Sequence, residues 1–277
     1  MLGQGTAAVG IIITIILAFR MRNIWAIVIG NLSGMALLSI FSYVVCPVKP
    51  RFKLHKESLS SIFRFARGMA GLPILTSLAF NADVLVLGKV MDTAVVDMYG
   101  MALVLANIPR DLFTKIINPV LLPAFAAKQY NPTGLNRGIL SLSKIIAIAT
   151  LPGAVVAAGC GKTILSIIYP DKYAEVSAVF GVFCFYIGVM IQSMPLSQAF
   201  YGIGRPEKLR LYAIIRCILI SLLIYPAVNL YGIMGSAGIL YLITLAGVFF
   251  QVQLLKAEIG LCIKSYLMSW LPGLIGA

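Results

Sequence analysis

Eight apolar stretches, most of them 20 to 30 residues long, take up nearly all of this 277-residue chain, and the connectors between them are short and often basic. They run over Met1–Phe19, Ile24–Val45, Ala66–Val90, Ala94–Pro123, Ile139–Ala158, Ala174–Ile203, Leu209–Ala227 and Gly232–Leu255. Each is near or above the roughly 20 residues a helix needs to cross a hydrocarbon layer about 30 Å thick. With 60% hydrophobic and 11% charged residues, and a mean hydropathy of +0.98, the chain carries more apolar surface than a water-soluble core can hide. The stretches are continuously apolar rather than alternating, and lipid offers the backbone no partners. Helices are therefore expected instead of a barrel. The reading is an all-α, polytopic transmembrane helical bundle of about eight spans. Met1–Gln4 contains no Lys or Arg and no cleavage-like site precedes Arg20, so the first stretch reads as a retained span and not a signal peptide.

The formal net charge of +13 has an ordinary topogenic explanation. Connectors after the even-numbered spans, counted with the adjoining ends of the spans, carry fourteen Lys and Arg against five on the opposite side. The positive-inside rule places the richer set in the cytoplasm, where it also meets anionic headgroups. Nucleic acid is not an expected partner, because no basic segment is interleaved with aromatic residues outside the spans.

Enzymatic chemistry finds little material. The five cysteines, Cys46, Cys160, Cys184, Cys217 and Cys262, are scattered with no CxxC pair and read as packing residues. The single histidine, His55, lies in the longest basic connector, so no metal site and no cofactor is expected. Gly161-Lys162-Thr163 imitates the end of a phosphate-binding loop, but the required glycine five positions earlier is Val156. That stretch reads as a short outer loop.

Charges inside spans are the strongest functional candidates, because removing them from water costs several kcal/mol unless they are paired or face a polar cavity. Asp83 lies in the third span, Arg110, Asp111 and Lys115 in the fourth, and Arg216 in the seventh. Asp111 and Lys115, four apart, project from one helical face and could neutralise each other. Arg110 then needs Asp83 or an anionic ligand. In the sixth span Gln192 and Gln198, with Ser193 and Ser197, surround Pro195 as a polar stripe, readable as cavity lining or as interhelical glue. Pro109, Pro119, Pro123, Pro152, Pro195 and Pro226 predict kinks.

The connector from Cys46 to Arg67 opens with Pro47 and Pro50 and then repeats Leu59, Ile62, Phe63 and Ala66 at helical spacing, which fits an amphipathic interfacial helix or a plain solvated tether.

Three runs carry a family resemblance: Ala82-Asp83-Val84-Leu85-Val86-Leu87-Gly88-Lys89, Asp97-Met98-Tyr99-Gly100-Met101-Ala102, and Asn118-Pro119-Val120-Leu121-Leu122-Pro123-Ala124-Phe125-Ala126. With the turns Tyr201-Gly202-Ile203-Gly204-Arg205-Pro206 and Tyr231-Gly232-Ile233-Met234-Gly235-Ser236-Ala237, the chain resembles polysaccharide flippases of the Wzx type, in the MOP superfamily that includes the MATE exporters. The resemblance implies a two-lobed protein matched from about its fifth helix onward, so that the chain looks like a C-terminal fragment. Residues 1–45 would be the last two helices of the N-terminal lobe, 46–65 the basic inter-lobe linker, 66–255 a six-helix C-terminal lobe and 256–277 the start of an additional helix. It further implies alternating-access translocation of a lipid-pyrophosphate-linked oligosaccharide across the inner membrane, for O-antigen or capsule-type polymers. Arg110, Lys115 and Arg216 would hold substrate, Asp83 and Asp111 would serve as charge partners or coupling-ion sites, and Gln192 and Gln198 would line the cavity. The expected partners are the lipid-linked oligosaccharide, membrane lipid, a coupling ion and the missing N-terminal lobe. Competing readings are a MATE-like antiporter of cationic small molecules, a membrane glycosyltransferase or polymerase of the same pathway, and an inactive fragment.

Overall fold

The computed structural model describes residues 2–21, 23, 25–45, 63, 66–67 and 71–275, and every regular element among them is helical. By contacts the chain divides into Met1–Ser58 and Leu59–Ala277. The amphipathic repeat expected between Lys56 and Arg67 falls mostly outside the described residues. Of its members, Phe63, Ala66 and Arg67 are described, as helical and exposed.

The first unit is a pair of apolar helices, α1 (Leu2–Met21) and α2 (Trp25–Val45), packed on each other. Small residues let the backbones approach: a Cβ on Gly10 would stand 3.1 Å from the Gly34 Cα, and one on Gly30 would overlap Thr14. The outward faces keep Ile11, Ile16, Leu32 and Met35 uncovered, as suits helices whose solvent is hydrocarbon.

In the second unit, α3 (Leu72–Val90) is joined to α4 (Thr93–Ala126) by two residues. Next come α5 (Pro132–Gly159), the short α6 (Gly161–Ile168) and a 3₁₀ turn (Asp171–Val176). They are followed by α7 (Ser177–Gly202), α8 (Pro206–Ile259), α9 (Ile263–Met268) and α10 (Leu271–Ile275). Helix α5 starts seven residues before the expected span, because Asn131 caps it, its Oδ1 accepting from the Gly134 N–H at 2.9 Å, with Pro132 in the first turn. The Gly161-Lys162-Thr163 stretch is the start of helix α6 and not a loop. After α8 the chain forms two short helices in place of the start of one. The second of them lies so close to α5 that a Cβ on Gly273 would overlap the Ala147 carbonyl.

Helix α8 spans 54 residues, too many for one crossing, and contains one non-helical residue, Gly232, at φ 58° and ψ −141°. There the chain reverses. A Cβ on Gly235 would overlap the carbonyl of Ala227, and one on Gly247 would lie 2.7 Å from Tyr212 Cε2, contacts that only two antiparallel rods can make. The two expected spans at 209–227 and 232–255 are thus one hairpin. The prolines Pro109, Pro119, Pro123, Pro152, Pro195 and Pro226 all lie inside helices, and the break in α8 falls at Gly232, six residues after Pro226.

Helix α7 is the hub, packed against α4, α5 and α8 and buried for most of its length. Among the described residues, four segments are long and apolar enough to cross a membrane: Leu72–Val90, Pro132–Gly159, Asp171–Gly202 and Pro206–Ile259. Helix α4 is long enough but interrupted by Arg110, Asp111 and Lys115. Fully apolar side chains such as Ile74, Ile116 and Leu222 face outward, which identifies a multi-pass membrane protein whose exterior is lipid.

The alternating helix directions bring Asn136, near the start of α5, against the end of α8, where its Nδ2 donates to the Ile259 carbonyl at 2.9 Å. Glu258 at that end pairs with Arg205 at 3.8 Å and Lys208 at 3.7 Å. At the opposite end, the Tyr173 hydroxyl donates to Asp97 at 2.6 Å. Cys262 and Cys160, both exposed, therefore lie at opposite ends, while Cys184 and Cys217 are buried. In single-cysteine variants, a membrane-impermeant maleimide added from one side is expected to label Cys160 or Cys262 but not both, and neither Cys184 nor Cys217. The positive-inside expectation assigns Cys262 to the cytoplasmic end. The Ser265 backbone N–H, with the Ser265 hydroxyl and the Lys264 N–H behind it, stabilises the Cys262 thiolate and lowers its pKa. Its labelling rate should reach half-maximum below the ordinary thiol value of about pH 8.5.

Candidate functional site: a polar cavity between α3 and α4

Although joined by only two residues, α3 and α4 touch each other little. Helix α3 packs along α8, and α4 along α7. The gap left between them is a cavity of about 470 Å³. On α3 it is lined by Pro73, Thr76, Ser77, Phe80 and Asn81, whose spacing of three and four residues defines one helical face, and by Asp83 beyond them. Leu103, Asn107 and Arg110 form the matching face of α4, and Tyr186 of α7 and Leu240 of α8 close the back. This is a polar wall in a chain that is otherwise apolar.

Asp83 is fully buried. Its Oδ2 accepts from the Tyr99 hydroxyl at 2.7 Å, and that hydroxyl lies 2.9 Å from the Ser236 Oγ. The three residues come from α3, α4 and the second rod of α8, and all are buried. Tyr99 is held edge-on against Phe183, with centroids 5.0 Å apart. The other carboxylate oxygen, Oδ1, has no hydrogen-bond partner, and Asp83 is a lining residue of the cavity.

The two arginines share an aromatic ring. The Arg110 guanidinium lies 5.2 Å from the Phe80 centroid and the Arg216 guanidinium 4.8 Å from the same centroid. Arg110 lines the cavity and pairs with Asp111 at 3.3 Å. Arg216 sits behind the wall, 7% exposed, its Nη2 donating to the Tyr186 hydroxyl at 3.2 Å while its Nε has no partner. No carboxylate of the described residues lies within 4.0 Å of it. A cation so far from water, with one hydrogen bond and one ring, is under-compensated.

The expected Asp111–Lys115 pair does not form. Asp111 turns to its sequence neighbour Arg110, and Lys115, exposed farther along α4, is not among the cavity's lining residues. The Arg110–Asp83 pairing does not form either: Asp83 bonds to Tyr99 and Arg110 to Asp111. Gln192 is fully buried, donating from Nε2 to the Ser143 carbonyl at 3.1 Å, while its own carbonyl accepts from the Tyr266 hydroxyl at 2.9 Å. Gln198 is half-buried. Neither lines the cavity. The polar stripe around Pro195 works between helices, as when Ser197 donates to the Gln251 Oε1 at 3.2 Å. Asp83 and Arg110 meet in the cavity and Arg216 stands directly behind it.

Sequence reasoning did not single out Phe80, Tyr186, Tyr99, Ser236, Asn81 or Asn107 as site residues. The 73-76-77-80-81 periodicity was a readable signal for the α3 face. Tyr99 and Ser236 stand within family-like runs but offered no charge to mark them. A second cavity, about 200 Å³ between α4, α5 and α7, differs in character. Its lining is almost wholly apolar, and its Thr150 hydroxyl already donates to the Ile146 carbonyl at 2.8 Å.

Residues 5–178 match a family described as polysaccharide biosynthesis protein. Among curated proteins, the chain is similar to a teichuronic acid biosynthesis protein of Bacillus subtilis, 20% identical over 92% of this chain and 53% of the relative. It is also similar to a succinoglycan biosynthesis transport protein of Rhizobium meliloti, 20% identical over 76% of this chain and 43% of the relative. A lipopolysaccharide biosynthesis protein of Escherichia coli is 21% identical over 81% of this chain and 46% of its own length. The chain thus spans about half the length of the curated relatives it matches. No solved structure matches. A match covering well over half of the residues places this chain in the polysaccharide biosynthesis protein family.

Proposed function

We propose that the chain forms part of a transporter that flips a lipid-pyrophosphate-linked oligosaccharide across the cell's inner membrane by alternating access, for polysaccharide, O-antigen or capsule-type biosynthesis. In this reading residues 66–255 are a six-helix lobe, residues 1–45 belong to its counterpart, 46–65 link them, and 256–277 are an appendage. The cavity between α3 and α4 contributes one wall of the translocation path. The observation that carries the reading is Arg216. It is a buried guanidinium without a carboxylate, set with Arg110 around one ring at the edge of a polar cavity. An anionic headgroup supplies the missing compensation. The relatives' printed names, a transport protein for succinoglycan and biosynthesis proteins for teichuronic acid and lipopolysaccharide, support a polysaccharide cargo and a transport role in preference to a catalytic one.

Asp83 is the residue we assign to coupling. Buried and bonded through Oδ2 to Tyr99, it lines the cavity, a place where a coupling ion would be bound and released. That feature also favours a second reading, a MATE-like cation-coupled antiporter. Arg110 separates the two. In proteoliposomes carrying the full chain, Arg110→Gln is expected to cut translocation of a diphosphate-linked lipid oligosaccharide at least tenfold, since a charge-assisted hydrogen bond is worth about 1.5–3 kcal/mol. An antiporter of cations would gain or keep transport of a cationic dye when that positive charge is removed. Normal lipid-oligosaccharide translocation by Arg110→Gln would remove the flippase reading.

A further inference from the structure

Phe80 holds a position that nothing about its type demands. An aromatic residue in a membrane helix ordinarily faces lipid or core, yet this ring lines the polar cavity and carries a guanidinium at 5.2 Å and another at 4.8 Å. Arg110 reaches it from α4 and Arg216 from the first rod of α8. The two Cζ atoms can therefore be no farther apart than those two distances combined, even though their helices are not neighbours in sequence. Like charges that close repel, and each needs something to hold it. Asp111 shares Arg110, but at 57% side-chain exposure it is a loosely held partner. Arg216 has the Tyr186 hydroxyl and otherwise only the ring. The negative face of a phenyl quadrupole attracts guanidinium without neutralising it, so Arg110 keeps its charge in the cavity and Arg216 keeps its own behind the wall.

We infer that Phe80 is a positioning residue for anion binding: its ring registers the Arg110 and Arg216 guanidiniums against each other, so that Arg110 meets a diphosphate group in the cavity while Arg216 adds its charge from behind the wall. The inference rests on the transport reading above and adds to it a residue with no charge and no hydrogen bond of its own. A leucine at 80 would fill much of the same volume but leave the guanidiniums without a platform. Arg216 would then relax towards Tyr186, and Arg110 towards Asp111.

The test measures binding of inorganic diphosphate to the full chain in nanodiscs of zwitterionic lipid, where anionic headgroups do not compete. Phe80→Leu is expected to weaken affinity about tenfold or more, from the loss of two cation–ring contacts. Phe80→Tyr, which keeps the ring, should recover most of that loss. The decisive series replaces Phe80 by mono-, di- and trifluorophenylalanine, which drain the ring's negative face with little change in shape. Affinity should fall step by step with each fluorine. A flat or rising series overturns the positioning role even if Phe80→Leu misfolds. Arg110→Gln and Arg216→Gln are measured alongside. If both bind diphosphate as well as the unaltered chain does, the transport reading fails and Phe80's role with it. If both weaken while the fluorine series stays flat, only Phe80's role is lost. Repeating the series in nanodiscs containing phosphatidylglycerol separates the two sources of phosphate: competition there that fluorination also weakens marks the site as one that takes lipid headgroups.

Discussion

On the proposed transport reading, Arg216→Gln is expected to abolish lipid-linked oligosaccharide translocation, with a drop of about a hundredfold or more, and to leave the protein as stable as before or more so. The two halves of that expectation come from one fact. Arg216 is buried with Nε unpartnered and only Tyr186 and Phe80 for company. Its charge is a burden on the folded state, because removing one member of a compensated pair destabilises, whereas removing an uncompensated charge relieves a desolvation cost. Glutamine can still donate to Tyr186. A residue that lowers stability and yet adds positive charge behind the cavity fits a role in activity, as proposed above. In cells the variant should accumulate lipid-linked sugar on the inner leaflet. Purified, it should melt at the same temperature as the unaltered protein or a few degrees higher. Arg216→Lys keeps the charge but loses the planar fork that lies on the ring, and should fall between the two. A melting point that drops by more than about 5 °C in Arg216→Gln would show that the guanidinium is a structural strut.

The second large effect is on folding. Gly235→Ala is expected to destabilise the protein by about 3 kcal/mol or more, because the new methyl would meet the backbone carbonyl of Ala227, which cannot rotate aside. The two rods of α8 must separate at their tightest point, within four residues of the reversal at Gly232. Gly238→Ala supplies the control, since nothing lies within 4 Å of a Cβ there. It should be neutral or slightly stabilising, as alanine is the better helix former by about 1 kcal/mol. Membrane yield and protease sensitivity at the Tyr231–Met234 turn distinguish the two. Equal yield and equal resistance would contradict the antiparallel packing of α8.

The amount of this structure legible in the sequence followed from how strongly lipid constrains a chain. Continuous apolar runs specify helices, and their ends were readable wherever a local signal existed, as at Gly232 within Tyr231-Gly232-Ile233. The start of α5 was misplaced because Pro132-Thr133-Gly134 is not apolar, and the helix there is set by the Asn131 cap, outside any hydropathy count. Of the charged residues inside spans, Asp83 and Arg110 line the cavity while Asp111, Lys115 and Arg216 do not, and their pairings were not readable. Spacing of four made Asp111–Lys115 plausible, whereas the side chain turned to Arg110, next to it in sequence. Periodicity gives the face of a helix and not which neighbour lies opposite. Gln192 shows the same limit: a polar residue beside a proline reads alike whether it lines a cavity or ties α7 to α5.

The hub position of α7 has a mechanical consequence. Because α7 grips α4, α5 and the α8 hairpin at once, those helices can only travel together, as one stiff block. Helix α3 is fastened to that block through α8 and barely through α4, so a swing of that single rod on its seat is all that widening or narrowing the mouth between α3 and α4 would take. Gating at this point would need no repacking of the interior, and its energy scale would be set by the α3–α8 seam alone.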